Sequence, residues 1–164
     1  MRQSKSEIYL HFVWATWKRE ALVTPEIERA VYRCIGSEAH RLGCAVLAIG
    51  GMPDHVHLCV KMPVQKTVVT LMNQVKGVSS HFVHDRLSLD LPFQWQEGYA
   101  VFSAGPNQVK SVLAYIQNQK QHHLENTLHS RWEETDEEYQ PRVLTAYDPS
   151  VECPPKDRAV NAAP

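Results

Sequence analysis

Two imidazoles stand two residues apart at His55-Val56-His57, and further along the chain come Tyr115, Gln119 and His122 at helical spacing. Side chains alternate along a strand, so His55 and His57 share one face while Val56, Leu58 and Val60 share the other. Two imidazoles side by side are within reach of a single divalent cation. Alone, the triplet suits equally well two polar residues on the solvated face of an amphipathic strand. Positions three and four apart stack along a helix, which brings Tyr115, Gln119 and His122 together. The tyrosine is a candidate nucleophile and the glutamine amide oxygen a candidate third metal ligand. Taken alone, that tyrosine could equally be an ordinary surface residue on a polar helix face.

Phosphoryl transfer is the chemistry in which these residue types combine. A phenol of ordinary pKa, about 10, is a poor nucleophile at neutral pH. A divalent ion held by two histidines and an amide oxygen keeps coordination positions open. Those positions polarise a non-bridging phosphate oxygen and orient the bond for in-line attack. The product, a phosphotyrosine ester, keeps the energy of the broken phosphodiester, and a 3′-hydroxyl can later attack it and rejoin strands without ATP. This is cutting and joining rather than hydrolysis.

Such a site needs elements to hold it. Residues 7–16 are β-branched and aromatic and read as a first strand. Thr24-Pro25 is a helix start, followed by Ile27, Val31, Cys34, Ile35 and Leu42 near helical spacing and closed by Gly43. Residues 44–50 are almost continuously apolar, as a central strand covered on both faces would be; Gly50-Gly51 breaks the run, and 55–62 make another strand. A second helix spans about 65–86. Residues 93–103 read as a hairpin turning at Glu97-Gly98. A third helix runs from about 107 to 126, with Val109, Val112, Leu113 and Ile116 as its core stripe. The order β-α-β-β-α-β predicts an α+β, ferredoxin-like sandwich on an antiparallel sheet, with a C-terminal helix carrying Tyr115 added to it.

The 164 residues are 43% hydrophobic and 21% charged, the balance of one globular domain. No apolar run is long enough to span a membrane or to serve as a secretory signal, so a cytoplasmic location is expected. Cys34, Cys44, Cys59 and Cys153 form no CxxC pair; three read as small buried hydrophobes and the fourth as a tail thiol. The net charge of −1 is divided unevenly. Residues 1–131 hold 14 basic against 10 acidic side chains, whereas 132–164 hold 3 against 8. A body at +4 is a modest footprint for a DNA binder. Residues 1–130 therefore read as the domain, and 131–164 as an acidic, proline-containing tail, loosely held. Its run Glu133-Glu134-Thr135-Asp136-Glu137-Glu138 reads as solvated, or else as a phosphate mimic lying over a DNA groove.

The HUH pair (U a bulky apolar residue, here Val56) followed by Tyr115-x-x-Asn118-Gln119-x-x-His122-His123 resembles the single-tyrosine HUH transposases of bacterial insertion sequences, the IS200-like family, and their domesticated relatives, the REP-associated tyrosine transposases. The resemblance spans about residues 6–130. It includes His11-Phe-Val-Trp14, Gly51-Met-Pro-Asp-His-Val-His57, Lys76-Gly-Val-Ser-Ser80 and Phe93-Gln-Trp-Gln-Glu-Gly-Tyr99. It implies that His55 and His57 bind Mg²⁺ or Mn²⁺, that Gln119 is the third ligand and that Tyr115 is the catalytic nucleophile. The implied substrate is single-stranded DNA marked by hairpins, cut through a 5′-phosphotyrosine. The implied assembly is a homodimer in which the tyrosine helix of one subunit serves the histidines of the other. His11 reads as support for the site or as core, Lys76 as a DNA contact or a solvated lysine, and His122 and His123 as phosphate contacts or helix-end residues. Trp95 and Tyr99 read as base-stacking rings or as a cover for the sheet. Two other readings compete: a domesticated hairpin-binding protein with little or no cleavage, and a metal-dependent hydrolase that does without the tyrosine.

Overall fold

Alternation along β1 (Tyr9–Ala15) and β3 (His55–Lys61) gives one sheet two different faces. The computed structural model describes residues 5–87, 92–133 and 135. Its sheet has the order β2 (Ala45–Met52), β3, β1, β4 (Ala100–Ala104), with every neighbouring pair antiparallel. In the β1–β3 register Val13 lies opposite His57, Ala15 opposite His55, and His11 opposite Cys59. Residues directly opposed in an antiparallel pair share a face. One face therefore carries Phe12, Trp14, Val56, Leu58 and Val60, all fully buried in the main core. The other face carries His11, His55, His57 and Cys59, also buried.

Two long helices cover the first face, α1 (Pro25–Arg41) and α2 (Val68–Leu87). Ile27, Val31 and Ile35 of α1 meet Leu71, Met72 and Val75 of α2 in one cluster. At about 1.5–3 kcal/mol for each large apolar side chain taken from water, this cluster dominates the driving force for folding. α1 begins at Pro25 with Thr24 as its N-cap, at the predicted boundary. Three short helices, α3 (Val109–Gln117), α4 (Gln119–Glu125) and α5 (Ser130–Glu133), cover the histidine face. The ferredoxin-like sandwich expected from the sequence is thus present, with the added C-terminal helices on its open side.

Three local expectations are corrected. The apolar run at 44–50 belongs to an edge strand, not a central one, because β2 pairs with β3 alone. It is apolar because both its faces are covered: Val46 and Ile49 join the α1–α2 core, and Leu47 and Ala48 pack beneath α3. The hairpin at 93–103 does not form. β4 pairs with β1, and the preceding segment makes only a single bridge, Trp95 to Thr16. Phe93 and Trp95 bury into the core instead, edge-on to each other, with Trp95 also edge-on to Trp14 and its indole N–H donating to Ser79 Oγ at 2.9 Å. The helix predicted over 107–126 is divided at Asn118 (φ −105°, ψ 21°), whose side-chain amide donates to the Ala114 carbonyl at 2.8 Å and so competes with the backbone ladder.

Two glycines make the histidine face possible. A Cβ on Gly50 would lie 2.5 Å from the Ile116 carbonyl oxygen, so only glycine lets α3 settle this closely on β2. A Cβ on Gly51 would meet the His55 carbonyl oxygen at 2.2 Å, which the tight β2–β3 turn leaves no room for. β2 runs through both residues rather than ending at them. Among the described residues no helix is long and apolar enough to cross a membrane.

Candidate active site

β3 presents His55 and His57 to the covered face at 1% and 0% exposure, so the pair is not part of a solvated strand face. Each ring is oriented by a neighbour. His55 Nδ1 is 2.7 Å from Asp54 Oδ1. A carboxylate can only accept, so Nδ1 carries the proton and the Nε2 lone pair faces the site. Burial pulls the Asp54 carboxyl upward, but the His55 hydrogen bond and the charges of His55 and Arg19 outweigh it and hold it below its ordinary value. His57 Nδ1 lies 2.9 Å from His11 Nε2, and the two rings stack. Burial, then the neighbouring histidines, push the His57 pKa well below its ordinary value, so this ring is neutral. Its Nε2 is buried and has no hydrogen-bond partner among the described residues.

α3 and α4 bring the second half of the predicted set. The Tyr115 ring packs edge-on to His57 with centroids 5.8 Å apart, and Gln119 Oε1 is 3.3 Å from His55 Nε2. Tyr115 and Gln119 are both buried, so the polar helix face inferred from spacing is turned onto the histidines rather than to solvent. His122 stacks on Tyr115 at 4.8 Å, and His123 lies 5.1 Å from the His55 ring. Burial, and then a hydrogen bond to the Glu133 carboxylate, push the Tyr115 phenol up to about 12.

Glu133 was not foreseen as a site residue. Its carboxylate accepts from the Tyr115 hydroxyl and lies 3.3 Å from His55 Nε2, 3.6 Å from His57 Nε2 and 3.7 Å from His123 Nε2. From the sequence the acidic run reads as solvated or as a phosphate mimic over a DNA groove; this member is 14% exposed and turned onto the histidines and Tyr115, while Glu134 and 136–138 lie outside the described residues. No spacing rule links position 133 to position 55. Its neighbour Trp132 packs edge-on to both Tyr115 and His11, and Arg19 donates to the Glu133 carbonyl at 2.9 Å. His55, His57 and Glu133 offer ligand atoms that all lie within 4.8 Å of one another, a set able to hold a metal ion. Gln119 Oε1 borders the same point.

A sequence profile described as "Transposase IS200 like" matches residues 4–119. The chain belongs to the IS200-like transposase family. The ISDra2 transposase TnpA of Deinococcus radiodurans is 24% identical over 127 residues, covering 73% of this chain and 91% of that protein. The transposase for insertion sequence element IS200 of Salmonella typhimurium is 28% identical over 115 residues, 66% of this chain and 74% of the relative. A solved transposase from D. radiodurans R1 shares the fold with a TM-score of 0.57 at 23% identity, covering 73% of this chain and 98% of that one. A REP-associated tyrosine transposase bound to a REP hairpin shares it with a TM-score of 0.57 at 13% identity, covering 75% and 73%.

Against that family background the remaining candidates separate. His11 is both core and support, since it is 1% exposed and bonded to His57. Lys76 spends its three donors on the backbone carbonyls of Gln96, Glu97 and Gly98 at 2.6, 2.8 and 3.1 Å, which ties that loop to α2. Trp95 is a core residue, and Tyr99 covers Phe12 at the sheet. Of the cysteines, Cys44 and Cys59 are buried, Cys34 is half-buried, and Cys153 lies outside the described residues.

Proposed function

We propose that this transposase cleaves and rejoins single-stranded DNA through a covalent bond to Tyr115, beside a divalent cation held by His55, His57 and Gln119. One observation carries the reading: the Tyr115 hydroxyl and the Nε2 atoms of both histidines converge on the same carboxylate, Glu133. The nucleophile and the cation seat are therefore neighbours, as in-line attack on one phosphate requires. The donors fit a cation because lone pairs face one another: His55 Nε2 meets Gln119 Oε1 and Glu133 Oε2, each at 3.3 Å. Imidazole, amide and carboxylate donors tolerate Mg²⁺ or Mn²⁺. When bound, the ion supplies charge stabilisation to the phosphate oxygens.

The protein's own part follows from its geometry. Asp54 and His11 hold the two imidazoles in fixed orientation. The Tyr115 oxygen attacks phosphorus as the bond from phosphorus to the 3′-oxygen breaks, and the phenol proton, which Tyr115 directs at the Glu133 carboxylate, ends on the departing 3′-oxygen, giving a 5′-phosphotyrosine and a free 3′-hydroxyl. Attack by a 3′-hydroxyl on that ester reverses the step and joins strands. A cleft of about 910 Å³ beside the site, bordered by His11, Phe102, Asn107, Ser111, His129 and Trp132, offers aromatic and polar walls to an unpaired strand. Hairpin-marked DNA is the substrate suggested by the structural neighbour that was solved with a REP hairpin. Family resemblance led to a homodimer that exchanges tyrosine helices. Within one chain Tyr115 packs edge-on to His57, which supports a site formed by a single chain; the exchanged arrangement is the alternative that the resemblance implies.

The test is a gel assay with labelled single-stranded hairpin DNA and Mg²⁺ or Mn²⁺, wild type beside Tyr115→Phe. A labelled band migrating with the protein, absent from the variant, is the expected result. Equal amounts of free cleaved DNA from both proteins would instead make the chain a hydrolase with another nucleophile.

A further inference from the structure

The proposed cation site has a donor more than the family pattern supplies. We infer that Glu133 is a further ligand to the cation, contributed by a segment beyond residues 4–119, the span of the family match. The inference rests on the metal reading of the His55–His57 pair. Ligands bound to one small divalent ion at about 2.1 Å lie roughly 3.0–3.5 Å apart at right-angle to tetrahedral geometry. One Glu133 oxygen is 3.3 Å from His55 Nε2, inside that range, and the other is 3.6 Å from His57 Nε2, just above it.

The polar contacts lead the same way. With its Nδ1 held by Asp54, His55 turns Nε2 to within 3.3 Å of both Gln119 Oε1 and Glu133 Oε2. His57 Nε2, 3.6 Å from the same carboxylate, is buried without a hydrogen-bond partner among the described residues. A cation satisfies all of them at once. The carboxylate is 14% exposed, and among its described contacts are three histidines and a phenol but no lysine or arginine head group. Uncompensated burial of a charge is costly, and a divalent ion removes that cost.

Glu133 is also held by its backbone rather than hanging from a free tail. Arg19 Nη2 donates to its carbonyl at 2.9 Å while Arg19 Nη1 reaches Asp54 Oδ2 at 3.4 Å. One guanidinium therefore ties the Glu133 backbone to the carboxylate that orients His55. Lys18 and Arg19 adopt left-handed φ of 52° and 55°, a conformation non-glycine residues seldom take, and this backbone turn presents Arg19. Trp132, wedged against Tyr115 and His11, secures the other side.

The experiment is Mn²⁺ binding to the full chain without DNA, with free Mn²⁺ read by electron paramagnetic resonance. Wild type is expected to bind one ion, His57→Ala to lose it, and Glu133→Gln to bind about tenfold to a hundredfold more weakly. Glu133→Asp, which keeps the charge but withdraws the oxygens, is expected to fall between them and covers the case in which Glu133→Gln misfolds. Hydrogen exchange is the second readout: Mn²⁺ should slow the amides of 127–133 in wild type and not in Glu133→Gln. Unchanged or tighter binding by Glu133→Gln, with His57→Ala still inactive in binding, overturns the role of Glu133 alone. Failure of wild type to bind Mn²⁺ overturns the metal reading itself, and this inference with it.

Discussion

His11 and His57 show what burial does to a titrating side chain. The pKa of His11 is lowered by burial, and then by His129, from 6.5 to about 4, and His57 is lowered in the same direction. Between those two values the unfolded chain binds more protons than the folded one, so stability falls as pH falls. The metal-free chain should therefore lose thermal stability from pH 6.5 down to about 4, and His11→Gln should make that decline shallower without abolishing it, because His57 still contributes. Differential scanning calorimetry across the window checks this; an unchanged slope in the variant would assign the effect to other groups. The His55–His57 pair was legible in the sequence because a two-residue repeat puts both rings on one strand face. Asp54 was visible beside it, but its bond to His55 depends on the tight turn that Gly51 permits.

Among the elements, the packing of α3 on β2 decides whether the tyrosine helix meets the histidines. The closest approach is at Gly50, where a methyl group would sit 2.5 Å from the Ile116 carbonyl oxygen. Backbone cannot yield as a flexible side chain would, so Gly50→Ala should push α3 away from the sheet. The expected cost is about 1–3 kcal/mol of stability. A larger fall in covalent DNA product should accompany it, because Tyr115 leaves His57. Thermal unfolding and the gel assay measure the two separately; full activity with unchanged stability would show that the helix does not rest on this contact. The periodicity of Val112 and Ile116 made α3 predictable, and its division at Asn118 was hidden because asparagine breaks a helix only where its side chain finds a carbonyl. The hairpin at 93–103 failed for a related reason. Phe93 and Trp95 have strand-like composition, yet the space between Trp14 and Ser79 claims them for the core.

For the molecule as a whole, the question is which chain completes which site. In one chain β3 supplies the histidines, α3 the tyrosine, and α5 a carboxylate that touches both. If the proposed site is formed within one chain, mixing damaged copies does not repair it. An equimolar mixture of His57→Ala and Tyr115→Phe should yield no covalent DNA adduct beyond that of either variant alone. Recovery of roughly a quarter to a half of the wild-type adduct would show that tyrosine helices are exchanged between copies in solution, since complementation requires one intact half from each.

Sequence alone determined the residue pairs whose relation is periodic. His55 with His57 follows from the strand repeat and Tyr115 with Gln119 from the helix repeat, because each depends only on local geometry. It also determined the sandwich, whose two apolar faces are written in the alternation of β1 and β3 and the stripe of α1. Tertiary structure decided the rest. Glu133, Arg19 and His11 reach the site from distant positions, and no short-range pattern encodes a contact between positions 19 and 133 or between 57 and 133. It also decided that the histidine face is buried, since the closeness of α3 to Gly50, the α4 side chains Gln119 and His123 over His55, and the return of residues 127–133 across Tyr115 close it off from water.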